Sequence, residues 1–182
     1  MNSISLNKIS TLTSDISKIQ WFSNVGKEIN KFINDNINYY CHSLDLDRKV
    51  KKVSNWEEAI KIISDKDWNK AIWEKEEKEK ENLLKILLKN KNEKEVFSYL
   101  QALTEESTKI IDSCSIEDLD KNDVKFQYYS KVAAGSAAIC CYQASLALAT
   151  NQMNSHIFIA KLELFKSGHW PLVIKNNIFN IF

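Results

Sequence analysis

The chain has 182 residues, of which 44% are hydrophobic and 27% are charged, and its 25 basic and 24 acidic side chains leave a net charge of +1. The hydrophobic fraction excludes extensive disorder and the length suits one core, so we predict a single domain over 1–182. A charge this close to zero offers no general attraction to nucleic acid or to an anionic membrane, and we predict neither as a partner.

Cysteine usage and the N-terminal residues predict a cytoplasmic protein. Of the four cysteines, Cys140 and Cys141 are adjacent, which is poor geometry for a disulfide framework and favours reduced thiols. The N-terminus contains Lys8 but lacks the continuous apolar core of a secretory signal.

Apolar residues spaced three and four positions apart predict helices along most of the chain. A first helix is expected over about 4–22, followed by a break at Gly26 and a second helix around 29–40. Residues 44–53 alternate apolar and charged side chains in places. They are either an extended connector or a short edge strand.

A capping box marks the next helix start. The Ser54 hydroxyl is expected to accept a hydrogen bond from the Glu57 amide, while the Glu57 carboxylate reaches back towards the Ser54 amide. The helix is then expected to begin at Trp56. Asp65 or Asp67 is expected to cap a following helix. The apolar residues of that following helix are Trp68, Ile72, Trp73, Leu83, Leu84, Leu87 and Leu88.

The Glu/Lys run within that helix predicts a solvated flank. Three i,i+4 pairs have the favourable Glu-before-Lys order, namely Glu74–Lys78, Glu76–Lys80 and Glu81–Lys85. Residues 90–92 are expected to end the helix, and helical spacing resumes from Val96 to about Ser113.

The stretch 117–150 predicts one long helix, or two helices with a break near 120–123. Its part from Val132 to Thr150 has no charged residue, but small and polar side chains make it only weakly apolar. This composition favours a buried central helix over a membrane span. Small residues are expected to let neighbouring helices approach closely, and they are Ala133, Ala134, Gly135, Ala137, Ala138, Ala144 and Ala147.

The C-terminal residues change from helix to strand. A last helix over about 155–167 is expected to stop at Gly168, and Pro171 prevents it from resuming. Asn176 and Asn177 tolerate the positive φ that a two-residue hairpin turn requires.

The predicted fold is therefore mainly α, a single-domain helical bundle with a C-terminal β-hairpin over about 170–182. The turn pairs Ile174 with Phe179 and Leu172 with Ile181 on an apolar face that is expected to pack on the helices. One strand edge would stay exposed, so the hairpin is either a lid on the core or an acceptor for a partner's strand.

The sequence contains no motif for a metal, a nucleotide or a cofactor. His42, His156 and His169 are too scattered for a zinc motif, and three glycines cannot build a phosphate-binding loop or a dinucleotide fingerprint. Cys140 and Cys141 lie in an apolar helix, where buried thiols behave as small hydrophobes. We predict no cofactor, no metal site and no catalytic residue.

The tryptophans are predicted mainly as core residues. They are Trp21, Trp56, Trp68, Trp73 and Trp170. Trp73 is followed by Glu74, Glu76 and Glu77, and an exposed tryptophan flanked by charge is typical of a hot spot for a protein partner. Trp73 is therefore a candidate partner-binding residue.

Four short motifs lie in order over most of the chain: WFSNVG at 21–26, SNWEEAIK at 54–61 with Trp68 following, KENLLKILL at 80–88, and GHWPL at 168–172 before the hairpin. Together they resemble a loose group of small bacterial immunity proteins, including those paired with contact-dependent growth inhibition and related polymorphic toxins. The resemblance implies a non-enzymatic cytoplasmic protein. Such a protein binds the C-terminal domain of its cognate toxin and blocks the toxin's active site or an essential surface.

The resemblance also implies an acidic binding patch, because many toxins of this kind are nucleases with basic surroundings at the active site. Since the overall charge is balanced, this patch must be local. We take the densest acidic region as a candidate partner surface, comprising Glu105, Glu106, Asp112, Glu117, Asp118 and Asp120.

Two other classes of function stay open. One is a helical adaptor or homo-oligomeric interaction protein unrelated to toxins. The other is a small helical hydrolase-type enzyme whose site is assembled by tertiary contacts around His156 or His169. The sequence does not fix the oligomeric state.

Overall fold

The computed structural model describes residues 11–12, 14–46, 49–67, 69–90, 92–108, 120–150 and 156–182. After helical residues at 11–12 and 14–16, the elements are α1 (Lys31–Ser43), β1 (Lys49–Lys52), α2 (Trp56–Ser64), α3 (Lys70–Asn90), α4 (Glu93–Thr108), α5 (Val124–Ala149), α6 (Ile157–Lys166), β2 (Pro171–Lys175) and β3 (Ile178–Ile181). The chain is thus mainly helical with strands at its C-terminal end, as predicted.

Two clusters of buried apolar side chains form the core, and both α5 and α6 contribute to each of them. On α5, Ala133, Ala137 and Ala144 are fully buried. Gly135, which was expected at a helix contact, instead faces open space, because a Cβ at this position would meet no atom within 4 Å. α5 has the length and composition of a membrane span, and 61% of its most apolar window is buried inside the protein.

The N-terminal helix ends earlier than predicted. The helical residues stop at 16, and residues 21–26 form turns. Phe22 and Gly26 adopt left-handed backbone conformations, with φ of 61° and 72°, which a continuous right-handed helix excludes. The predicted start of this helix lies outside the described residues.

The cap of α2 lies one residue later than predicted. Asn55 Oδ1 accepts from the Glu58 amide at 2.9 Å, and the Glu58 carboxylate accepts from the Ser54 amide at 3.3 Å. The helix begins at Trp56 as expected, so the residue directly before it, Asn55, takes the N-cap position. The box predicted at Ser54 and Glu57 was therefore wrong by one residue.

The following helix boundaries have their own side-chain caps. Asn69 Oδ1 accepts from the Ala71 amide at 3.1 Å at the start of α3, the role predicted for Asp65 or Asp67. The predicted break at 90–92 is confirmed, since α3 ends at Asn90 and α4 begins at Glu93. α5 begins at Val124 with Asp123 as its N-cap, and residues 120–123 are not helical; the predicted helical residues before 120 lie outside the described residues.

The hairpin belongs to a three-stranded sheet with the order β1-β3-β2. β1 lies within residues 44–53, which were predicted to be either an extended connector or an edge strand. It runs parallel to β3, with Val50 opposite Phe179. On the outer edge of β2, the Asn69 amide donates to the Ile174 carbonyl at 2.8 Å. The strand edges are therefore more fully paired than the sequence predicted.

The register of the hairpin is only partly as predicted. Ile174 lies opposite Phe179, which confirms the pairing next to the turn. Further along, an irregularity between residues 171 and 174 places Pro171 opposite Ile181, so the predicted pairing of Leu172 with Ile181 was wrong. A bulge of this kind sets two residues of one strand against one of the other and shifts the pairing beyond it.

An aromatic cluster fixes the hairpin on the helices. Trp170 is fully buried, with its ring centroid 5.6 Å from those of both Phe22 and Trp56. Phe182 packs edge-on against Trp56 at 5.3 Å, and Trp170 and Phe182 exchange two backbone hydrogen bonds. The ends of the hairpin are thereby held together inside the core.

Three predicted positive-φ positions lie near the C-terminus. Asn176 and Asn177 have φ of 51° and 58° in the hairpin turn, and Gly168 has φ of 84° after α6. The Gly168 amide donates to the Phe165 carbonyl at 2.9 Å, which caps the helix end.

Substitution of Gly168 by alanine should destabilise the protein by about 2 kcal/mol or more, because a Cβ there is strained at positive φ and crowded. That Cβ would lie 2.5 Å from Ser23 Oγ and 2.9 Å from the Asn24 amide nitrogen. Gly135→Ala is the matched control, since it adds a methyl group to an open helix position and should stabilise by about 0.5–1 kcal/mol. Urea unfolding of the two variants checks both signs, and equal effects would contradict the assignment.

Candidate functional site

A cleft of about 540 Å³ opens between α3, α5, α6 and β2, with one residue from α2. This volume falls within the usual range for ligand pockets. The residues that line it are Ile63, Trp73, Glu76, Glu77, Lys80, Ser136, Ala138, Ile139, Tyr142, Gln143, Lys161, Phe165, Pro171, Leu172 and Val173. We call this feature the α3–α5 cleft.

Small side chains on α5 leave room for the cleft. Ser136 and Ala138 line it, and the Ser136 hydroxyl turns back to the Val132 carbonyl at 3.1 Å. Sequence reasoning had assigned Ala138 to a close helix contact, whereas the structure places it at the cleft. Short side chains on one side of α5 thus leave the cleft open, whereas those on the other side allow α5 to pack closely in the core.

A buried carboxylate lies where α3 meets α1 and α6. Glu76 is only 8% exposed. Its Oε1 accepts from the Lys161 ammonium at 2.8 Å and from the Tyr40 hydroxyl at 2.7 Å, and its Oε2 lies 3.2 Å from the same ammonium. The Lys161 nitrogen also lies 5.8 Å from the centre of the Tyr40 ring, within cation–π range. One carboxylate therefore joins three helices.

The electrostatics of this cluster favour an ammonium and a neutral phenol. Burial lowers the pKa of Lys161, but the Glu76 charge, followed by the effects of Cys140 and of the Glu76 hydrogen bond, more than offsets it, so the pKa lies above its ordinary value. Burial and the Glu76 charge both raise the pKa of Tyr40. At neutral pH, Lys161 therefore supplies the positive charge opposite Glu76.

The position of Glu76 overturns the surface pair predicted with Lys80. Lys80 instead forms an ion pair with Glu77, which also lines the cleft. Of the other predicted surface pairs, Glu81–Lys85 is present, with 3.7 Å between nitrogen and oxygen. The sequence did carry a signal, since Glu76 falls on the helical stripe of buried residues shared with Ile72, Leu83 and Leu87.

Among the described residues that line the cleft, Gln143 has a buried side-chain atom without a hydrogen-bond partner. Gln143 lines the cleft and is 3% exposed, and its carboxamide oxygen accepts no hydrogen bond. A buried acceptor without a donor costs about 1–3 kcal/mol. Sequence reasoning did not single out Gln143, because a glutamine in an apolar helix has no distinctive spacing.

Trp73 is the one predicted partner-binding residue that the structure places at the cleft, and it is 47% exposed. Among the acidic candidates, Glu105 is exposed on α4 near Gln101, and Asp120 is exposed before α5, where its carboxylate accepts from the Asn122 amide at 2.9 Å. Asp112, Glu117 and Asp118, and the side chain of Glu106, lie outside the described residues. The acidic patch therefore stays a prediction.

The histidines and cysteines considered as reactive groups occupy structural positions. His156 caps α6, with Nδ1 accepting from the Phe158 amide at 3.2 Å, and burial lowers the pKa of both His156 and His169. Cys140 and Cys141 are fully buried, and burial raises the pKa of Cys141 to about 12. In the described part of the chain, no group of three His, Cys, Asp or Glu side chains is placed to hold a metal ion.

Comparison with known proteins gives no relative of this fold. No protein-family model matches the chain, and no significant match was found among curated proteins or solved structures.

Replacing Glu76 by glutamine should destabilise the protein by about 3–5 kcal/mol, because it leaves the buried Lys161 ammonium without its counter-charge. Glu81→Gln is the matched control on the same helix, where both partners are more than 60% exposed and the loss should stay within about 0.5 kcal/mol. Guanidinium unfolding measures the difference. If the two variants lose equal stability, the buried pair does not have the role assigned to it.

Stability should fall as the pH drops from 7 to 5, partly through His156. Burial, opposed more weakly by the Glu79 charge, lowers its folded-state pKa below the ordinary 6.5. The unfolded chain then binds the proton more readily, so this contribution is complete above pH 6.5 and is lost as the pH falls through the folded pKa. Asparagine can keep the cap without titrating. The variant His156→Asn should therefore show a shallower pH dependence of its unfolding free energy, and an unchanged slope would contradict this.

Proposed function

We propose that this protein is an immunity protein that acts in the cytoplasm by binding the C-terminal domain of a cognate bacterial toxin and blocking its active site or an essential surface. The resemblance of the four sequence motifs to small immunity proteins supports the class. The α3–α5 cleft supports a location for the contact.

The observation that carries the proposal is the pair of large apolar side chains exposed at the cleft. Trp73 on α3 is 47% exposed and Ile139 on α5 is 61% exposed, and both line the cleft. Exposed apolar groups around a concave site are typical of protein interfaces, where a tryptophan next to a pocket often supplies much of the affinity.

The charges in the cleft favour binding over bond-making chemistry. Glu76 is engaged by Lys161 and Tyr40, and Glu77 is engaged by Lys80. Acid–base catalysis needs a titratable group that is free to exchange a proton with a substrate. In this cleft the charged groups instead satisfy one another, as suits a surface that recognises shape.

The acidic region predicted from the sequence is a second element of the proposal. Within this region the structure describes the side chains of Glu105 and Asp120, and both are exposed. Carboxylates at the rim of an interface chiefly accelerate the association with a basic partner, whereas a buried apolar anchor slows its dissociation. The two features thus have separable kinetic effects.

The protein should co-purify with the C-terminal domain of a toxin encoded directly upstream, and Trp73→Ala should raise the dissociation constant by about 30-fold or more. Phe97→Ala is the matched control, since Phe97 is also 47% exposed but is not among the residues that line the cleft, and its effect should stay below about threefold. Isothermal titration calorimetry measures both variants. If the wild-type protein does not bind the domain, the proposed function is wrong; if the two variants lose affinity equally, the cleft is not the contact.

A further inference from the structure

The outer edge of β1 is the open edge of the three-stranded sheet. At the opposite edge, the Asn69 amide donates to the Ile174 carbonyl at 2.8 Å, and the Lys175 side chain forms an ion pair with Asp65. In the described part of the chain, β1 pairs only with β3, and no other backbone hydrogen bond reaches residues 49–52. An edge strand of this kind presents a row of N–H and C=O groups without partners.

The parallel register identifies the backbone groups that face outward. The Val53 amide donates to the Ile181 carbonyl at 2.8 Å, so Val53 turns its N–H towards β3. Successive residues of a strand turn their N–H and C=O groups alternately to its two sides, so those of Lys51 also face β3. Val50 and Lys52 therefore present their N–H and C=O groups on the open side of β1.

A groove of about 540 Å³ lies between β1 and the start of α1, and we call it the β1 groove. It is lined by Glu28, Ile29, Asn34, Val50 and Lys52, and thus includes both residues whose backbone groups face outward. It shares no lining residue with the α3–α5 cleft. A chain that adds to a sheet edge gains backbone hydrogen bonds and places alternate side chains in pockets, and the β1 groove offers both.

The charge of this edge selects among possible occupants. Three of the four residues of β1 are exposed lysines, Lys49, Lys51 and Lys52. Lys51 pairs with Glu58 at 2.7 Å and Lys52 pairs with Glu28, whereas Lys49 has no ion pair among the described residues. Like charges in neighbouring strands are destabilising, so the edge disfavours the same edge of a second copy. Opposite charges are stabilising, so the edge favours an acidic strand.

The two faces of β1 differ in chemistry. Lys49 and Lys51 lie on one face and Val50 lies on the other, because side chains alternate along a strand. Val50 and Ile29 both line the β1 groove, and both pack, partly buried, against the same core cluster. An added strand continues this alternation. Its side chains beside Lys49 and Lys51 therefore gain most as carboxylates, and those beside Val50 gain most as apolar groups.

We propose that the outer edge of β1 accepts an extended acidic segment of a protein partner as a fourth strand. The backbone of the segment bonds to the N–H and C=O groups of Val50 and Lys52. Its acidic side chains face Lys49 and Lys51, and its alternate apolar side chains enter the β1 groove beside Ile29. Because this surface is separate from the α3–α5 cleft, the inference does not depend on the proposed function.

The test is an NMR titration of the isolated protein with the acetylated and amidated peptide Thr-Glu-Val-Glu-Val-Glu-Thr. The peptide should shift the backbone amide signals of Val50 and Lys52 and, at saturation, slow their hydrogen exchange by about tenfold or more. The matched peptide Thr-Lys-Val-Lys-Val-Lys-Thr should bind at least about tenfold more weakly, because its ammonium groups meet lysines. The acidic peptide with N-methylated valines should also bind at least about tenfold more weakly, because it lacks donors for the strand edge.

A charge reversal in the protein tests the same contact from the other side. The variant Lys49→Glu should weaken binding of the acidic peptide by about threefold or more, since it turns an attractive cross-strand pair into a repulsive one. Lys131→Glu is the matched control, because Lys131 is exposed on α5 and lines neither the β1 groove nor the α3–α5 cleft. Its effect should stay below about twofold.

The inference is overturned if the wild-type protein binds none of the peptides, if it binds the acidic and basic peptides equally, or if N-methylation leaves the affinity unchanged. Signals of Val50 and Lys52 that shift with protein concentration alone would assign the edge to a second copy and would also overturn it. These outcomes come from the wild-type protein, so they hold even if Lys49→Glu fails to fold. None of them involves the toxin domain, so a failure here leaves the proposed function standing.

Discussion

The Glu76 carboxylate is the constraint on which the site depends, because it fixes α3 against α1 and α6 through Tyr40 and Lys161. Burying a carboxylate and an ammonium is expensive in desolvation, and the loss of either partner leaves an uncompensated charge. The contact therefore tolerates few alternative arrangements of these helices. Since Glu76 and Lys161 also line the α3–α5 cleft, the interaction that positions the helices shapes the binding surface as well.

Local physics accounts for most of what the sequence predicted correctly. Helical spacing and end signals, such as Gly168 after α6 and the break after Asn90, act within a few residues and depend little on distant contacts. The Asn176–Asn177 turn is equally local. The parallel pairing of β1 with β3 joins segments more than 120 positions apart, and no periodicity within one segment encodes such a contact.

The candidate site was less predictable, because it is assembled from separate elements. Trp73 could be singled out as a partner-binding candidate, because a tryptophan followed by several charged residues is visible in the sequence. Glu76 was misassigned to the surface because i,i+4 spacing with Lys80 suggested a local pair, while Lys161, 85 positions away, was the stronger partner. The cleft depends on small side chains on α5, such as Ser136 and Ala138. The space that they leave open can be recognised only once the neighbouring helices are in place.

The most direct test of the central claim, that the cleft is the protein-binding site, is a crystal structure of the protein with the toxin domain encoded upstream. We expect an apolar side chain of the toxin domain in the α3–α5 cleft, packed against Trp73 and Ile139. A complex in which the toxin domain lies elsewhere, with the cleft open to solvent, would contradict this account.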